Sequence, residues 1–262
     1  WQVTNTLALL AEGGTVPFIA RYRKERTGEL NEIQLRALVE RHEYLTELED
    51  RKATVLKSIE EQGKLTDDLR ARIEACMQKT ELEDLYLPYK PKKRTRATIA
   101  REKGLEPLAD AIRALNVPEA READMDALAS AFVNEDLGVT SAQEALSGAS
   151  DILAEETAEN ADLRAHVRGF MAEQGVFRSR VKDEFPEGST KYEMYRDWSA
   201  PVGDIPAHNM LALRRGETEG VLFFDLEFDQ PQVLAWIEER VSRSGASNVR
   251  TFFTAMIRDA FD

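Results

Sequence analysis

Apolar residues recur at helical spacing over about thirty residues, and this stripe restricts the fold of the chain more than any other feature. Asn31 and Gln34 form a capping box at its start, and Gly63 ends it. Spacings of three, four and seven residues place the apolar side chains on one buried helix face. The sequence therefore predicts one long helix from Asn31 to about Gln62. Its apolar stripe consists of Leu35, Leu38, Leu45, Leu48, Val55, Leu56 and Ile59.

Helix start and stop signals continue along most of the chain. Two short helices are expected on either side of Gly13-Gly14, the second carrying Phe18, Ile19 and Tyr22 inward. Strand patterns are limited to residues 176–181 and 221–228. Residues 210–215 fit either a strand paired with the second of these or a short helix. We therefore expect a mainly α fold: an irregular multi-helix scaffold with a helix-turn-helix-like N-terminal part and a small β element near 176–228.

Three parts are expected from the spacing of these signals. Residues 1–63 hold the short helix pair and the long helix. Residues 64–175 form a helical scaffold, and residues 176–262 form a mixed segment with short strands and two C-terminal helices. Because the chain begins at Trp1 without an initiator Met, we expect it to be part of a longer protein.

Composition limits where the chain acts and what it binds. A single cysteine, Cys76, excludes an intramolecular disulfide and predicts a reducing, cytoplasmic compartment. Cys76 is interpreted as a small core residue, although Lys79 nearby is a weak indication of a lowered thiol pKa. No apolar stretch reaches the ~20 residues that cross a bilayer. The net charge of -13 repels nucleic-acid phosphates on average, so any such binding requires a local basic patch.

Catalytic motifs are missing from the sequence. Gly13-Gly14-Thr15 lacks the lysine of a phosphate-binding loop, and no G-x-S-x-G nucleophile motif is present. The three histidines lack zinc-ligand spacing. Asp151, Glu155 and Glu159 share one helix face, and a solvated surface is favoured there over a site for a hard cation. We expect no enzyme, no metal and no cofactor.

One segment reverses the sign of the charge. Residues 86–103, here called the basic strip, carry seven cations and one acid, and the rest of the chain carries -19. Its proline-containing first part, 86–96, is predicted to be extended and exposed. Tyr86 and Tyr89 are candidates for stacking on bases. The predicted phosphate contacts are Lys90, Lys92, Lys93, Arg94 and Arg96. The alternative is a loop that forms salt bridges with the acidic helices of the chain itself.

The short helix pair near the N-terminus is the second candidate for nucleic-acid contact. Its second helix carries Arg21, Arg23 and Lys24, and two short helices around a tight turn are typical of helix-turn-helix modules. Many short helix pairs are packing units alone, so both interpretations stay open.

Four stretches of sequence resemble one known family, the Tex transcription-accessory proteins. The first is V-P-F-I-A-R-Y-R-K-E at 16–25, followed by T-G-E-L at 27–30. The longest is T-E-L-E-D-L-Y-L-P-Y-K-P-K-K-R-T-R-A-T-I-A-R-E-K-G-L-E-P-L at 80–108. The others are A-L-S-G-A-S-D-I-L-A-E at 145–155 and L-A-L-R-R-G-E-T-E-G-V-L at 211–222. The similarity extends over nearly the whole chain.

This resemblance implies a bacterial cytoplasmic protein that acts in transcription and binds RNA and DNA. Family members continue into an RNase-H-like domain, helix-hairpin-helix motifs and an OB-fold that dominates nucleic-acid binding. The leading hypothesis is an N-terminal scaffold whose cations contact RNA or DNA weakly and without sequence preference. The alternative is an interaction platform for RNA polymerase-associated proteins or for those later domains, without direct nucleic-acid binding.

Overall fold

The computed structural model describes residues 1–261, and the chain forms two compact units within it. Unit 1 comprises Trp1–Tyr89, and unit 2 begins at Lys90. The mainly α class predicted from the sequence is confirmed, with one small sheet in unit 2. The boundaries predicted at residues 63 and 175 stay predictions. No helix in the described part of the chain is long and apolar enough to cross a membrane.

Unit 1 is a helical assembly organised along one long helix, α4. Its helices are α1 (Gln2–Ala11), α2 (Val16–Tyr22), α3 (Lys24–Thr27), α4 (Glu32–Glu61), α5 (Asp67–Ala75) and α6 (Lys79–Tyr86). The predicted capping box is present at the start of α4. The Gln34 N–H donates to Asn31 Oδ1 at 2.9 Å, and the Asn31 N–H donates to Gln34 Oε1 at 3.0 Å. These bonds satisfy two amide groups that a helix start leaves without partners.

The stripe on α4 serves two separate packing surfaces. Near its start, Leu35 packs with Leu9 of α1 and Ile19 of α2. Farther along, Val55 and Ile59 are fully buried where α4 contacts α5 and α6. Burying each such side chain contributes roughly 1.5–3 kcal/mol relative to leaving it in water. The predicted helix is thus confirmed, and it positions the short helices α1 to α3 at its N-terminal end.

The predicted orientation of the second short helix is wrong in part. Ile19 is fully buried, but Phe18 is 41% exposed and Tyr22 is 56% exposed. The helix α2 has seven residues, and its single packed face is already filled by Ile19 with Val16 and Ala20 beside it. The other two aromatic rings therefore remain in solvent.

Unit 2 is built around α10, an alanine-rich helix that α7, α8, α9 and α14 surround. Its helices are α7 (Arg96–Glu102), α8 (Glu106–Ala114), α9 (Met125–Ser130), α10 (Ala142–Ala158), α11 (Ala161–Gln174), α12 (Ala207–Thr218), α13 (Gln230–Val241) and α14 (Ser247–Phe261). Gly148 allows the close approach on one side of α10, because a Cβ there would lie 2.4 Å from Leu105 Cδ1. Small side chains along α10 thus bring its neighbours close to its backbone.

The sheet of unit 2 has the order β2-β1-β3 and is antiparallel throughout. Its strands are β1 (Val176–Val181), β2 (Asp197–Pro201) and β3 (Leu222–Glu227). The segment 210–215, which the sequence left open, is helical and belongs to α12. Leu213 of α12 packs with Val181 and Leu222, so one face of the sheet is covered by that helix.

Candidate nucleic-acid interface

The basic strip is less extended than its sequence suggested. Tyr86 ends α6, and its ring is buried beneath the Arg51 guanidinium, 5.2 Å from the ring centre. The Tyr86 hydroxyl also forms a hydrogen bond with Ser58 Oγ at 3.1 Å. The predicted stacking of Tyr86 on a base is therefore wrong, and Tyr89 is half-buried. Residues 90–95 have no regular structure, and Thr95 caps α7 by accepting the Thr98 N–H.

Lys92 is held by carboxylates of α10 and its C-cap residue. Its Nζ contacts a Glu159 carboxylate oxygen directly and lies 3.6 Å from Glu155 Oε2. Glu155 also accepts hydrogen bonds from Arg101 Nη1 at 2.7 Å and from Thr95 Oγ1 at 2.8 Å. Both glutamate side chains are 14% exposed. The two acids therefore fix the strip at three points along its length.

The pKa values of the two glutamates are shifted in opposite directions, although both carboxylates lie close to Lys92. Burial tends to raise the pKa of Glu155, but hydrogen bonds from Arg101 and Thr95 outweigh it, and the pKa is lowered. For Glu159 burial dominates over its contact with Lys92, and the pKa is raised. The difference follows from the hydrogen bonds: Glu155 accepts them from two donors, whereas Glu159 has Lys92 alone and its pKa is also raised by the neighbouring charge of Glu155.

The two arginines predicted in the strip also have acidic partners. Arg96 donates to Asp259 of α14 at 2.7 Å and lies 3.4 Å from Asp151 of α10. Arg94 donates to Glu102 at 2.5 Å, and both side chains are at least half exposed. An ion pair that exposed contributes about 0–1 kcal/mol, so Arg94 can exchange Glu102 for a phosphate at little cost.

Lys90 and Lys93 differ from their neighbours in the strip. Both are exposed, and neither has an ion pair or a side-chain hydrogen bond with any residue in 1–261. They lie on each side of the anchored Lys92, two residues and one residue away. The five predicted contacts are thus brought together in one segment, but only these two and Arg94 present charge that is readily available.

The second predicted cluster lies on α2 and α3 of unit 1. Arg21 and Lys24 are exposed and have no ion-pair partner among the described residues. Arg23 Nη1 donates to the Tyr22 carbonyl at 3.0 Å, and its guanidinium lies 5.2 Å from the centre of the Phe18 ring. Arg23 thus contacts aromatic and backbone groups rather than a carboxylate.

The alternative interpretation of the strip, a loop that forms salt bridges with the chain's own acidic helices, is confirmed for Lys92, Arg96 and Arg101, although the sequence analysis did not name the acids. Asp151, Glu155 and Glu159 recur every four residues along α10 and its C-cap. Their side chains are 14–20% exposed, so the favoured reading as a solvated surface is wrong. Cys76 is buried as predicted, but burial raises the pKa of its thiol to about 11 instead of lowering it.

Two family models match this chain. The Tex-like protein N-terminal domain matches residues 1–60, and the Tex central region-like model matches residues 120–258. The basic strip lies between the two matched ranges, and the α2–α3 cluster lies within the first.

Curated relatives agree with these matches. The chain is 50% identical over 227 residues to the transcriptional accessory protein Tex of Neisseria gonorrhoeae, covering 87% of the chain and 29% of that relative. It is 48% identical over 244 residues to protein YhgF of Escherichia coli K12, covering 91% and 31%. It is 28% identical over 230 residues to the human S1 RNA-binding domain-containing protein 1, covering 85% and 22%. The chain spans less than a third of the length of these relatives. It belongs to the Tex family.

Proposed function

We propose that this chain is a scaffold and nucleic-acid-associated module of a bacterial transcription accessory protein, and that it contacts RNA or DNA backbones without reading sequence. The names of two relatives, a transcriptional accessory protein and an S1 RNA-binding domain-containing protein, support this setting. One observation carries the proposal. Lys90 and Lys93 are exposed and have no ion pair within residues 1–261, on a loop that Lys92 and Thr95 tie to the protein.

Anchoring the loop favours binding because less conformational entropy is lost when phosphates arrive. The backbone of a flexible loop must be ordered on binding, at roughly 1–2 kcal/mol for each residue fixed. Lys92 and Arg101 already fix the backbone on both sides of Lys93. In this proposal Lys90, Lys93 and Arg94 contact phosphates. Lys92 and Arg96 principally position the strip.

The α2–α3 cluster supplies the second contact in this proposal. Arg21, Arg23 and Lys24 carry three positive charges on a unit 1 surface where Glu12 is engaged by Arg26 at 3.8 Å. Local positive potential of this kind attracts phosphates despite a net charge of -13. The proposal assigns no catalytic step to the chain. A nuclease or ATPase activity of the purified chain would contradict that part of it.

The test measures the salt dependence of binding to a labelled single strand. Log affinity falls with log salt, and each lost phosphate contact reduces the steepness of that fall by about 0.7 for single strands. The triple substitution Lys90→Ala, Lys93→Ala and Arg94→Ala is expected to reduce the steepness of this slope by about two and to weaken binding at low salt. The matched control removes three exposed cations of unit 2 that lie outside the strip: Arg178→Ala, Lys191→Ala and Arg214→Ala.

The control removes the same net charge, so it separates local contact from general attraction. It is expected to change affinity modestly and to leave the slope close to that of the unsubstituted chain. An unchanged slope in the strip variant, or equal changes in both variants, would rule out the strip as a phosphate contact.

An interaction platform is the second candidate, and an apolar groove in unit 1 favours it. Val3 and Leu7 of α1 line this groove with Leu38 and Leu45 of α4, and its volume is about 540 Å³. Protein partners of the transcription machinery would be retained from nuclease-treated extract by the unsubstituted chain and lost with Leu45→Glu. Retention that disappears with nuclease would favour nucleic-acid binding instead. Circular dichroism of Leu45→Glu checks that the variant is folded.

A further inference from the structure

Two aromatic rings stand in solvent on the same face of α2. Phe18 is 41% exposed and Tyr22 is 56% exposed, and their ring centres are 5.4 Å apart. They are four residues apart on a helix, so they lie one above the other on its surface. An exposed pair of large aromatic side chains is uncommon away from binding surfaces, because each ring loses the free energy that burial would provide.

Three cations lie close to these rings along the chain. Arg21 lies three residues after Phe18, which places it on the neighbouring part of the same helix face. Lys24 begins α3 directly after the break at Arg23. Arg21 and Lys24 are exposed and have no ion-pair partner within residues 1–261. An apolar face bordered by free cations is complementary to a ligand that combines flat rings with negative charge.

Arg23 makes this surface rigid before any ligand arrives. Its guanidinium lies 5.2 Å from the centre of the Phe18 ring, while Nη1 donates to the Tyr22 carbonyl. A guanidinium has five N–H donors, and one of them is used by that carbonyl. The remaining donors can hold a phosphate next to the Phe18 ring without further ordering of the side chain.

We propose that Phe18 and Tyr22 form a stacking platform for the unpaired bases of a single-stranded nucleic acid, with Arg21, Arg23 and Lys24 holding the adjacent phosphates. This inference rests on the proposed function, and it specifies the form of nucleic acid that the α2–α3 cluster selects. Bases in a duplex stack on one another, so their faces are closed to protein rings except at the ends. Bases of a single strand are open to stacking, and the preference is independent of sequence because every base has a π face.

The test compares a 12-nucleotide single strand with two ligands of the same length. One is a strand with abasic sites in place of its bases, which keeps the phosphates and removes the rings, and the other is a duplex. The double substitution Phe18→Leu and Tyr22→Leu keeps apolar surface and removes aromatic faces. It is expected to weaken binding of the normal strand about tenfold, and to leave the affinity for the abasic strand and the salt slope unchanged.

The matched control is Phe223→Leu on β3. Phe223 is 50% exposed and lies near two cations, with Arg180 at 4.6 Å and Lys182 at 5.3 Å from its ring centre. This control is expected to bind all three ligands as the unsubstituted chain does. Circular dichroism and thermal melting of both variants verify that they are folded.

Each other outcome contradicts a distinct part of the argument. Absence of binding by the unsubstituted chain to any of the three ligands would overturn the proposed function together with the platform. Normal binding that Phe18→Leu/Tyr22→Leu leaves intact would overturn the platform alone, as would an equal loss with Phe223→Leu. A dimer of the unsubstituted chain that the double substitution converts to a monomer would instead assign these rings to an interface between two copies.

Discussion

The basic strip and the α2–α3 cluster both concentrate positive charge, but their surroundings differ. In the strip, Lys92 and Arg96 contact carboxylates of α10, its C-cap and α14. In the α2–α3 cluster, Arg23 lies over an aromatic ring, and Arg21 and Lys24 have no acidic partner in the described chain. The first arrangement stabilises the protein, and the second leaves charge available at the surface.

This difference shows that a run of cations in a sequence gives the amount of positive charge, but not which of the cations are free to bind a phosphate. Glu155 lies 54 residues from Arg101, and Asp259 lies 163 residues from Arg96, so these two neutralising acids are far from the strip in the sequence. Once paired in a partly buried site, a cation that leaves for a phosphate exposes an uncompensated carboxylate behind it. Binding strength therefore depends on which cations are already engaged.

The largest expected effect comes from removing the acids that hold the strip. Glu155→Gln with Glu159→Gln leaves Lys92 beside neutral partners, in a site where the acids were 14% exposed, and leaves Arg101 with Glu106 and Glu156 as its acidic partners. We expect the free energy of unfolding, measured with urea, to fall by about 2–4 kcal/mol. Affinity for a single strand should rise severalfold, because the released Lys92 then resembles the cations of the α2–α3 cluster.

The control for this experiment changes two exposed acids of unit 2, Glu135→Gln and Glu184→Gln. It alters the net charge equally, so it measures the general effect of charge on binding. Its free energy of unfolding should change by less than about 0.5 kcal/mol. A strip variant as stable as this control would show that the ion pairs contribute nothing measurable.

Much of the fold could be predicted because the local signals agree with one another. The capping box at Asn31, the stripe that includes Val55 and Ile59, and the strand pattern in β3 all appear in the structure. The segment 210–215 was ambiguous because its apolar spacing fits both a strand and a short helix. In the structure it is helical, as part of α12, which packs against the sheet. Local periodicity identifies elements but does not say which neighbour will cover them.

The candidate site was harder to predict, for the same physical reason. We predicted that Phe18 and Tyr22 point inward because they are hydrophobic. Of Phe18, Ile19 and Tyr22, however, only Ile19 is buried on the packed face of α2. The pairing of Lys92 with Glu159 needs the tertiary fold, since nothing in the spacing along the chain specifies which acids meet which cations. Which residues of a basic segment are free is therefore a property of packing.

The pH dependence of a single strip variant sharpens the comparison. Lys92→Met removes the shared partner of Glu155 and Glu159, so both carboxylate pKa values should rise above those of the unsubstituted chain. The folded variant then binds protons at higher pH than the unsubstituted chain does. Its loss of stability is expected to be about 1–2 kcal/mol near pH 8 and to shrink as the pH falls towards the ordinary glutamate pKa of 4.5.

The sign follows from the state of the two acids. Above their pKa values both are charged, and the variant leaves them without Lys92. Once they are protonated, the missing cation has no charge to compensate. The control is Lys90→Met, because Lys90 lies two residues away and has no ion pair in residues 1–261. It should change the free energy of unfolding by less than about 0.5 kcal/mol at every pH. A loss with Lys92→Met that is independent of pH would show that packing, not charge, explains it.

The smallest expected effect concerns Arg94, which lies between the two kinds of cation. Its partner Glu102 is half exposed, so Glu102→Gln should leave the melting temperature nearly unchanged. Freeing Arg94 should raise affinity for a single strand about twofold to threefold, which corresponds to about 0.4–0.7 kcal/mol.

The control is Glu32→Gln, which frees Arg36 from an equally short and similarly exposed pair on α4. Both substitutions change the charge by one unit, so an equal gain in affinity would mean that position within the strip is irrelevant. A gain with Glu102→Gln alone would place Arg94 among the phosphate contacts.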